Sequence, residues 1–122
     1  MTPTTDTIFF DSKDQRESFR YHFKTDQGFT IEFQGKKVMV LNISAGGISF
    51  YNEGFRQFDV DDITFTLDIP TMMKPPTFQV GLRILTLDQD NICHCIFERC
   101  TLEQHELIHK YVLEMQKNDL AH

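Results

Sequence analysis

The chain has 122 residues, 40% of them hydrophobic, and a formal net charge of −6. This length suffices for one compact core, so we predict one domain rather than two. The acidic balance argues against a broad nucleic-acid surface, which needs many cations to neutralise phosphates, so we expect no DNA or RNA partner. Every apolar run falls short of the roughly 20 residues that cross a bilayer, which predicts no membrane insertion.

The three cysteines, Cys93, Cys95 and Cys100, cannot all pair within one chain, and no signal-peptide pattern follows Met1. We therefore expect free thiols and a cytoplasmic location. Residues 1–14 are rich in Thr, Asp, Ser and Lys and are interpreted as a flexible leader. We assign 15–118 to the domain and 119–122 to a tail.

Apolar and polar residues alternate with period two from Phe19 onward, which is typical of half-buried strands. Turn residues separate the alternating segments, among them Gln34-Gly35 and Pro75-Pro76. The predicted strands cover residues 29–33, 36–43, 48–51, 63–69, 78–84 and 92–98. Closure removes exposed edges from so many short strands, so we predict a closed or nearly closed antiparallel barrel.

A helix is predicted after the last strand. Thr101 and Gln104 have the spacing of a capping box, in which each side chain satisfies a free backbone N–H at the helix start. The helix is expected to end near Asn118 and to lie against the strands. Four residues at helical spacing form its apolar stripe, namely Ile108, Tyr111, Val112 and Met115.

Two short polar motifs stand out from this pattern. In "LNISAGGISF", Asn42 and Ser44 are two apart in a strand and share a face, and Gly46-Gly47 leaves room for a close approach to the backbone. Taken alone, this stretch is better explained by a β-bulge or hairpin turn, where Asn, Ser and Gly are expected for local reasons. In "QRESFRY", Arg16 and Arg20 are four apart, so both guanidinium groups point to one side and can bind phosphates or guanine edges.

Together, "RESFR" and "NISAGG" resemble the paired R-x-x-x-R and [D/N]-x-S-x-x-G motifs of the PilZ domain, a receptor for the bacterial second messenger cyclic di-GMP. The resemblance covers about residues 15–118 and includes the alternating strands and the C-terminal helix. It implies a mainly β fold, a six-stranded antiparallel β-barrel with a C-terminal α-helix. It also implies that the ligand is cyclic di-GMP, with no cofactor and no catalysis.

The family's site residues map onto this chain position by position. The resemblance implies that Arg16 and Arg20 bind the guanine edges and phosphates from a flexible arm, and that Asn42 and Ser44 bond a guanine from the barrel surface. Gly47 would keep the strand start open enough for the base to lie against the backbone. Ligand binding would then change the conformation and signal to a downstream protein, which the sequence does not identify.

Two positions depart from the commoner family pattern. Asn42 stands where Asp is more frequent, and it offers guanine one acceptor and a mismatched donor in place of two acceptors. Gln15, which precedes the first arginine, stands where an arginine or an apolar residue is common, at a position associated with the number of ligands bound. The sequence leaves open whether one or two ligand molecules bind.

A competing motif is "HELIH", in which His105 and His109 match the zinc-binding pattern H-E-x-x-H. Few residues remain to supply a third ligand, and Cys93 and Cys95 share a strand face that is expected to be buried with Phe97. We therefore interpret the histidines as surface residues, and expect no metal and no enzyme activity. The main alternative for function is an interaction module of the same fold that binds no nucleotide.

Overall fold

The computed structural model describes residues 19–120, which form seven strands and one helix. The strands are all paired antiparallel, and the helix follows the last of them. The elements are β1 (Arg20–His22), β2 (Thr30–Phe33), β3 (Lys36–Ser44), β4 (Gly47–Tyr51), β5 (Val60–Thr66), β6 (Thr77–Leu87), β7 (Ile92–Glu98) and α1 (Leu102–Leu120).

The strands form one curled sheet in the order β1-β3-β4-β7-β6-β5, and β2 pairs with β3 beside β1. Strand β3 is long enough to pair with β2 through its first half and with β1 through its last three residues. Curling brings β2 close to β5 at the far end of the sheet. The Gln34 amide N–H donates to Asp61 Oδ2 at 2.6 Å, and the Phe29 and Phe65 rings stack with centroids 5.4 Å apart.

The β2–β3 hairpin shows how local chemistry sets strand register. Phe33 pairs with Lys36, which leaves a two-residue loop, and both loop residues have positive φ, 50° at Gln34 and 80° at Gly35. Two positive φ values give a type I′ turn, whose twist matches that of the flanking strands. The hairpin register in turn places Ile31 and Phe33 in the core, where they are 3% and 0% exposed.

The core occupies the concave face of the sheet, and α1 covers part of it. Ile108, Tyr111 and Val112 of α1 are buried in the same hydrophobic cluster as the inward-facing strand residues. Thr101 and Gln104 form the capping box, since the Thr101 N–H donates to Gln104 Oε1 at 2.9 Å and the Gln104 N–H donates to Thr101 Oγ1 at 3.1 Å. The cap therefore fixes where the chain leaves the sheet and begins α1.

The predicted mainly β fold with a C-terminal helix is confirmed, with local differences. A short strand, β1, adds to the six predicted ones and pairs with the end of β3. Strand β5 begins at Val60 and ends at Thr66, three residues early at both ends. Leu67 and Ile69 leave the strand yet stay 1% and 0% exposed, because the apolar core rather than strand pairing holds them. The helix continues to Leu120, two residues past its predicted end.

The part of the chain that the structure describes contains no helix long and apolar enough to cross a membrane.

Candidate functional site

The convex face of the sheet carries a row of polar side chains that crosses five strands. Strand pairing places these residues side by side from β1 through β3, β4 and β7 to β6. Because residues directly opposite in antiparallel strands share a face, they form one line across the sheet. We call this line the polar row, and it consists of His22, Asn42, Ser49, His94 and Thr86.

A second line on the same face runs beside the polar row. It places Arg20 opposite Ser44, and Ser44 opposite Gly47. A third line of residues lies between these two lines, and its side chains point inward to the core. In this line Tyr21 pairs with Ile43, and Ile43 pairs with Ile48. All three are at most 7% exposed. Side chains alternate between the two faces along β1, β3 and β4. The apolar side chains therefore lie in the core, and the polar side chains of both motifs lie on the opposite face.

Arg20 and Asn42 are directly bonded. Nη1 of Arg20 donates to Asn42 Oδ1 at 2.5 Å, across 22 positions of sequence. The Asn42 oxygen is the acceptor that the sequence predicts for a guanine N–H, and in this structure it accepts from the Arg20 guanidinium. Asn42 is 9% exposed and Ser44 is 3% exposed, so both motif side chains are buried.

The hairpin loop between β3 and β4 is held from two sides. Ser44 Oγ accepts from the Gly46 N–H at 3.3 Å, and the Ala45 carbonyl oxygen accepts from His105 Nδ1 of α1 at 2.7 Å. The Arg20 carbonyl oxygen accepts from Gln116 Nε2 at 3.1 Å. Helix α1 thus contacts both sequence segments that carry the motifs, one near its start and one near its end.

Gly47 has a structural reason to be glycine that is independent of any ligand. A Cβ at this position would lie 1.9 Å from the Cys95 carbonyl oxygen of β7, far inside van der Waals contact. Neither Gly46 nor Gly47 adopts a positive φ. The glycine is therefore required by the close approach of β4 to β7, and its role in ligand binding stays a prediction.

Four of the six predicted site residues lie in the described part of the chain, and the structure brings them together. Arg20, Asn42, Ser44 and Gly47 share the convex face at the β1–β3–β4 junction. Arg16 and Gln15 lie outside the described residues. Their predicted roles stay predictions.

The histidines of "HELIH" do not form a metal site with other described residues. Within residues 19–120, no cluster of three or more His, Cys, Asp or Glu side chains could hold a metal ion. His105 donates to the Ala45 carbonyl oxygen, and the His109 ring packs edge-on against Phe19 with centroids 5.0 Å apart. Both histidines are half-buried against the strands rather than on the free surface, so the surface interpretation is wrong in that respect.

The cysteines behave as core residues. Cys93 and Cys95 are 0% and 5% exposed on the inner face of β7, with Phe97 beside them at 7%, as the alternation predicts. Burial raises the pKa of Cys93 to about 11 and that of Cys95 further, and it raises the pKa of Cys100 to about 11. The thiolate form that binds zinc is thereby disfavoured at all three positions.

Sequence reasoning missed a bonded chain of three side chains at the β7 end of the polar row. Ser49 Oγ lies 3.1 Å from His94 Nδ1, and His94 Nε2 lies 2.7 Å from Asp88 Oδ2. The hydrogen bond from His94 lowers the pKa of Asp88. Ser49 and His94 are 45 positions apart, and only their alternation pattern places each on an outward face.

Comparisons with known proteins agree with this geometry. A comparison with curated proteins finds no match. Among solved structures, the chain is similar to the PilZ domain with c-di-GMP of YcgR from Escherichia coli, with a TM-score of 0.52 and 9% identity over 83% of this chain and 91% of that one. At that identity the likeness shows a shared fold. A comparison with protein families matches the PilZ domain over residues 14–114. With both motifs inside the matched range, the chain belongs to the PilZ domain family.

Proposed function

We propose that this protein is a receptor for cyclic di-GMP that signals to a downstream protein by changing conformation. The observation that carries the proposal is the bond from Arg20 to Asn42, which joins one residue of each motif on one face of the sheet. The domain that the chain resembles in fold was solved with c-di-GMP, which supports the same ligand here. The proposed site consists of Arg16, Arg20, Asn42 and Ser44, with Gly47 beneath them and Gln15 at its edge.

The chemistry of the ligand suits these groups. A guanine base offers N–H donors to the Asn42 oxygen, and its O6 and N7 accept a forked pair of bonds from a guanidinium. The two phosphodiesters are anionic and are neutralised by the same arginines. Binding requires Arg20 to release the Asn42 oxygen and to bond the ligand instead. The Arg20–Asn42 bond is therefore the contact that the nucleotide replaces.

The contacts of α1 provide a route from the site to a partner. His105 holds the β3–β4 loop next to Ser44, and Gln116 holds the backbone of Arg20. We propose that rearrangement of Arg20 and of this loop shifts α1 or its surroundings, and that a downstream protein recognises the shifted form. The scheme makes and breaks no covalent bond, so the protein acts as a receptor rather than an enzyme.

Calorimetric titration with cyclic di-GMP tests the proposal and also gives the stoichiometry. Arg20→Ala and Arg16→Ala should each weaken binding at least about tenfold, because a charge-assisted hydrogen bond contributes about 1.5–3 kcal/mol. Arg56→Ala is the matched control, since Arg56 is exposed and its backbone N–H, not its guanidinium, bonds Asp59.

Arg20→Ala keeps one contact between β1 and α1. The carbonyl that accepts from Gln116 belongs to the backbone and is kept in Arg20→Ala, so β1 should stay attached to α1. Binding by either site variant that is as tight as in the parent would contradict the proposed site. A flat titration of the parent at micromolar cyclic di-GMP would favour the interaction module that binds no nucleotide.

A further inference from the structure

The bonded chain of Ser49, His94 and Asp88 lies in the polar row with Asn42. Ser49 is the direct cross-strand neighbour of both Asn42 on β3 and His94 on β7. We propose that this chain tunes nucleotide binding at Asn42 through the protonation state of His94. The proposal rests on the proposed function, since it concerns the regulation of the same site.

The hydrogen-bond directions follow from the groups involved. An ionised carboxylate only accepts, so His94 Nε2 carries a proton and donates it to Asp88 at 2.7 Å. In neutral His94 the other ring nitrogen, Nδ1, is then an acceptor, and the Ser49 hydroxyl donates to it at 3.1 Å. The Ser49 proton is held on the His94 side, and the Ser49 oxygen offers only lone pairs toward Asn42.

Protonation of His94 reverses the second bond. Both ring nitrogens of a charged imidazole donate, so Nδ1 donates to Ser49 Oγ and the hydroxyl proton turns away from His94. Ser49 then becomes a donor toward its cross-strand neighbour Asn42, while its hydroxyl stays buried. The same proton cancels the charge of the Asp88 carboxylate, so the polar row loses a net negative charge next to an anionic ligand. This loss of negative charge favours binding of the anionic ligand at lower pH.

The groups around His94 are consistent with tighter binding at lower pH. Strand β4 presents Ser49 and Tyr51 on this face, and β6 presents Thr86. Two acids lie in the turn before β7, Asp88 and Asp90, and Asp59 adds to the burial that raises the pKa of neighbouring Cys93. The cation opposite β7 is Arg83 of β6, whose charge is compensated by its ion pair with Glu98. Further along the row, His22 is the other histidine beside Asn42, and Arg20 is the cation bonded to it.

A hydrolytic Ser-His-Asp site does not fit the same three residues. Ser49 is 1% exposed, so its hydroxyl is closed to an external substrate. The three bonded side chains instead fix the direction of one buried hydroxyl, that of Ser49, next to the proposed binding residue Asn42.

The test is calorimetry with cyclic di-GMP at about pH 8 and about pH 6 and constant ionic strength. The parent should bind about threefold tighter at the lower pH, as expected for one unit charge roughly 10 Å from the ligand. His94→Gln should reduce this dependence, since an amide can donate to Asp88 and accept from Ser49 but carries no ionisable proton. His22→Gln is the matched control and should keep the part of the dependence that comes from His94.

Imidazole nitrogen NMR on the ligand-free protein gives a second readout. In the neutral ring, His94 should show the Nε2–H tautomer. The Nδ1–H tautomer overturns the inference, and so does a pH dependence that disappears in His22→Gln but persists in His94→Gln. Binding that is equal at both pH values overturns it and leaves the receptor function standing. Absence of binding at both pH values overturns this inference and the proposed receptor function together.

Discussion

Replacing Asn42 with Asp sets two effects of the structure against each other. The carboxylate offers a second acceptor, so it accepts from both N1–H and the N2 amino group of guanine, whereas Asn42 accepts one bond and presents a donor in the other place. The carboxylate also turns the 2.5 Å bond with Arg20 into an ion pair in the ligand-free protein. The first effect tightens binding, and the second weakens it by stabilising the closed site.

The sizes of these two effects decide whether Asn42→Asp tightens or weakens binding. A good bidentate contact to a base contributes about 1–3 kcal/mol of discrimination. Arg20 is half-buried and position 42 is 9% exposed, so the new carboxylate loses hydration, and this cost keeps the net value of the ion pair at about 0.2–1 kcal/mol. The balance favours the ligand by about 1 kcal/mol, so Asn42→Asp should tighten cyclic di-GMP binding about fivefold.

Titration calorimetry on parent and variant measures this difference directly. Gln79→Glu controls for the added negative charge, because Gln79 is exposed on β6 and outside the proposed site. Adding Arg20→Ala to Asn42→Asp separates the two effects, since it removes the ion pair and keeps the second acceptor. Equal or weaker binding by Asn42→Asp, with Gln79→Glu unchanged, would refute the role assigned to the Asn42 side chain.

Three further predictions concern the fold. Gly47→Ala should lower the free energy of unfolding by about 3 kcal/mol, near the top of the overpacking range, because the new Cβ meets the Cys95 carbonyl at 1.9 Å; an unchanged urea midpoint would contradict this. Thr101→Ala removes the acceptor of the Gln104 N–H and should lower the free energy of unfolding by about 1 kcal/mol in the same urea measurement. A decrease smaller than the experimental error would show that the cap does not stabilise the helix. Burial raises the pKa of Cys93 from 9.0 to about 11, so its contribution to stability is complete below pH 9.0 and lost as the pH rises toward 11. The urea midpoint should therefore fall over that range and fall less in Cys93→Ala, and equal alkaline losses in the two proteins would count against the shift.

The fold was predictable to the extent that it depends on local pattern. Alternation identified the buried faces of the strands, and the spacing of Thr101 and Gln104 located the helix start. The register between strands distant in sequence was not predictable, because it depends on how the whole sheet curls. For this reason the contact between Ser49 and His94, which spans 45 positions, appears only in the structure. The same holds for the irregularity between Val40 and Asn42 on β3.

The candidate site shows a different limit. A motif residue can be present for the fold or for the ligand, and sequence alone does not separate the two reasons. Gly47 is demanded by the backbone of Cys95, so its match to the family motif adds little to the case for nucleotide binding. Arg20 gives stronger support, because a core needs no guanidinium on the convex face of a strand. Its bond to Asn42 links the two motifs across 22 positions, and it satisfies with protein atoms the acceptor that a guanine would otherwise fill. The case for a receptor therefore depends on the polar side chains of the convex face rather than on the glycines of the motif.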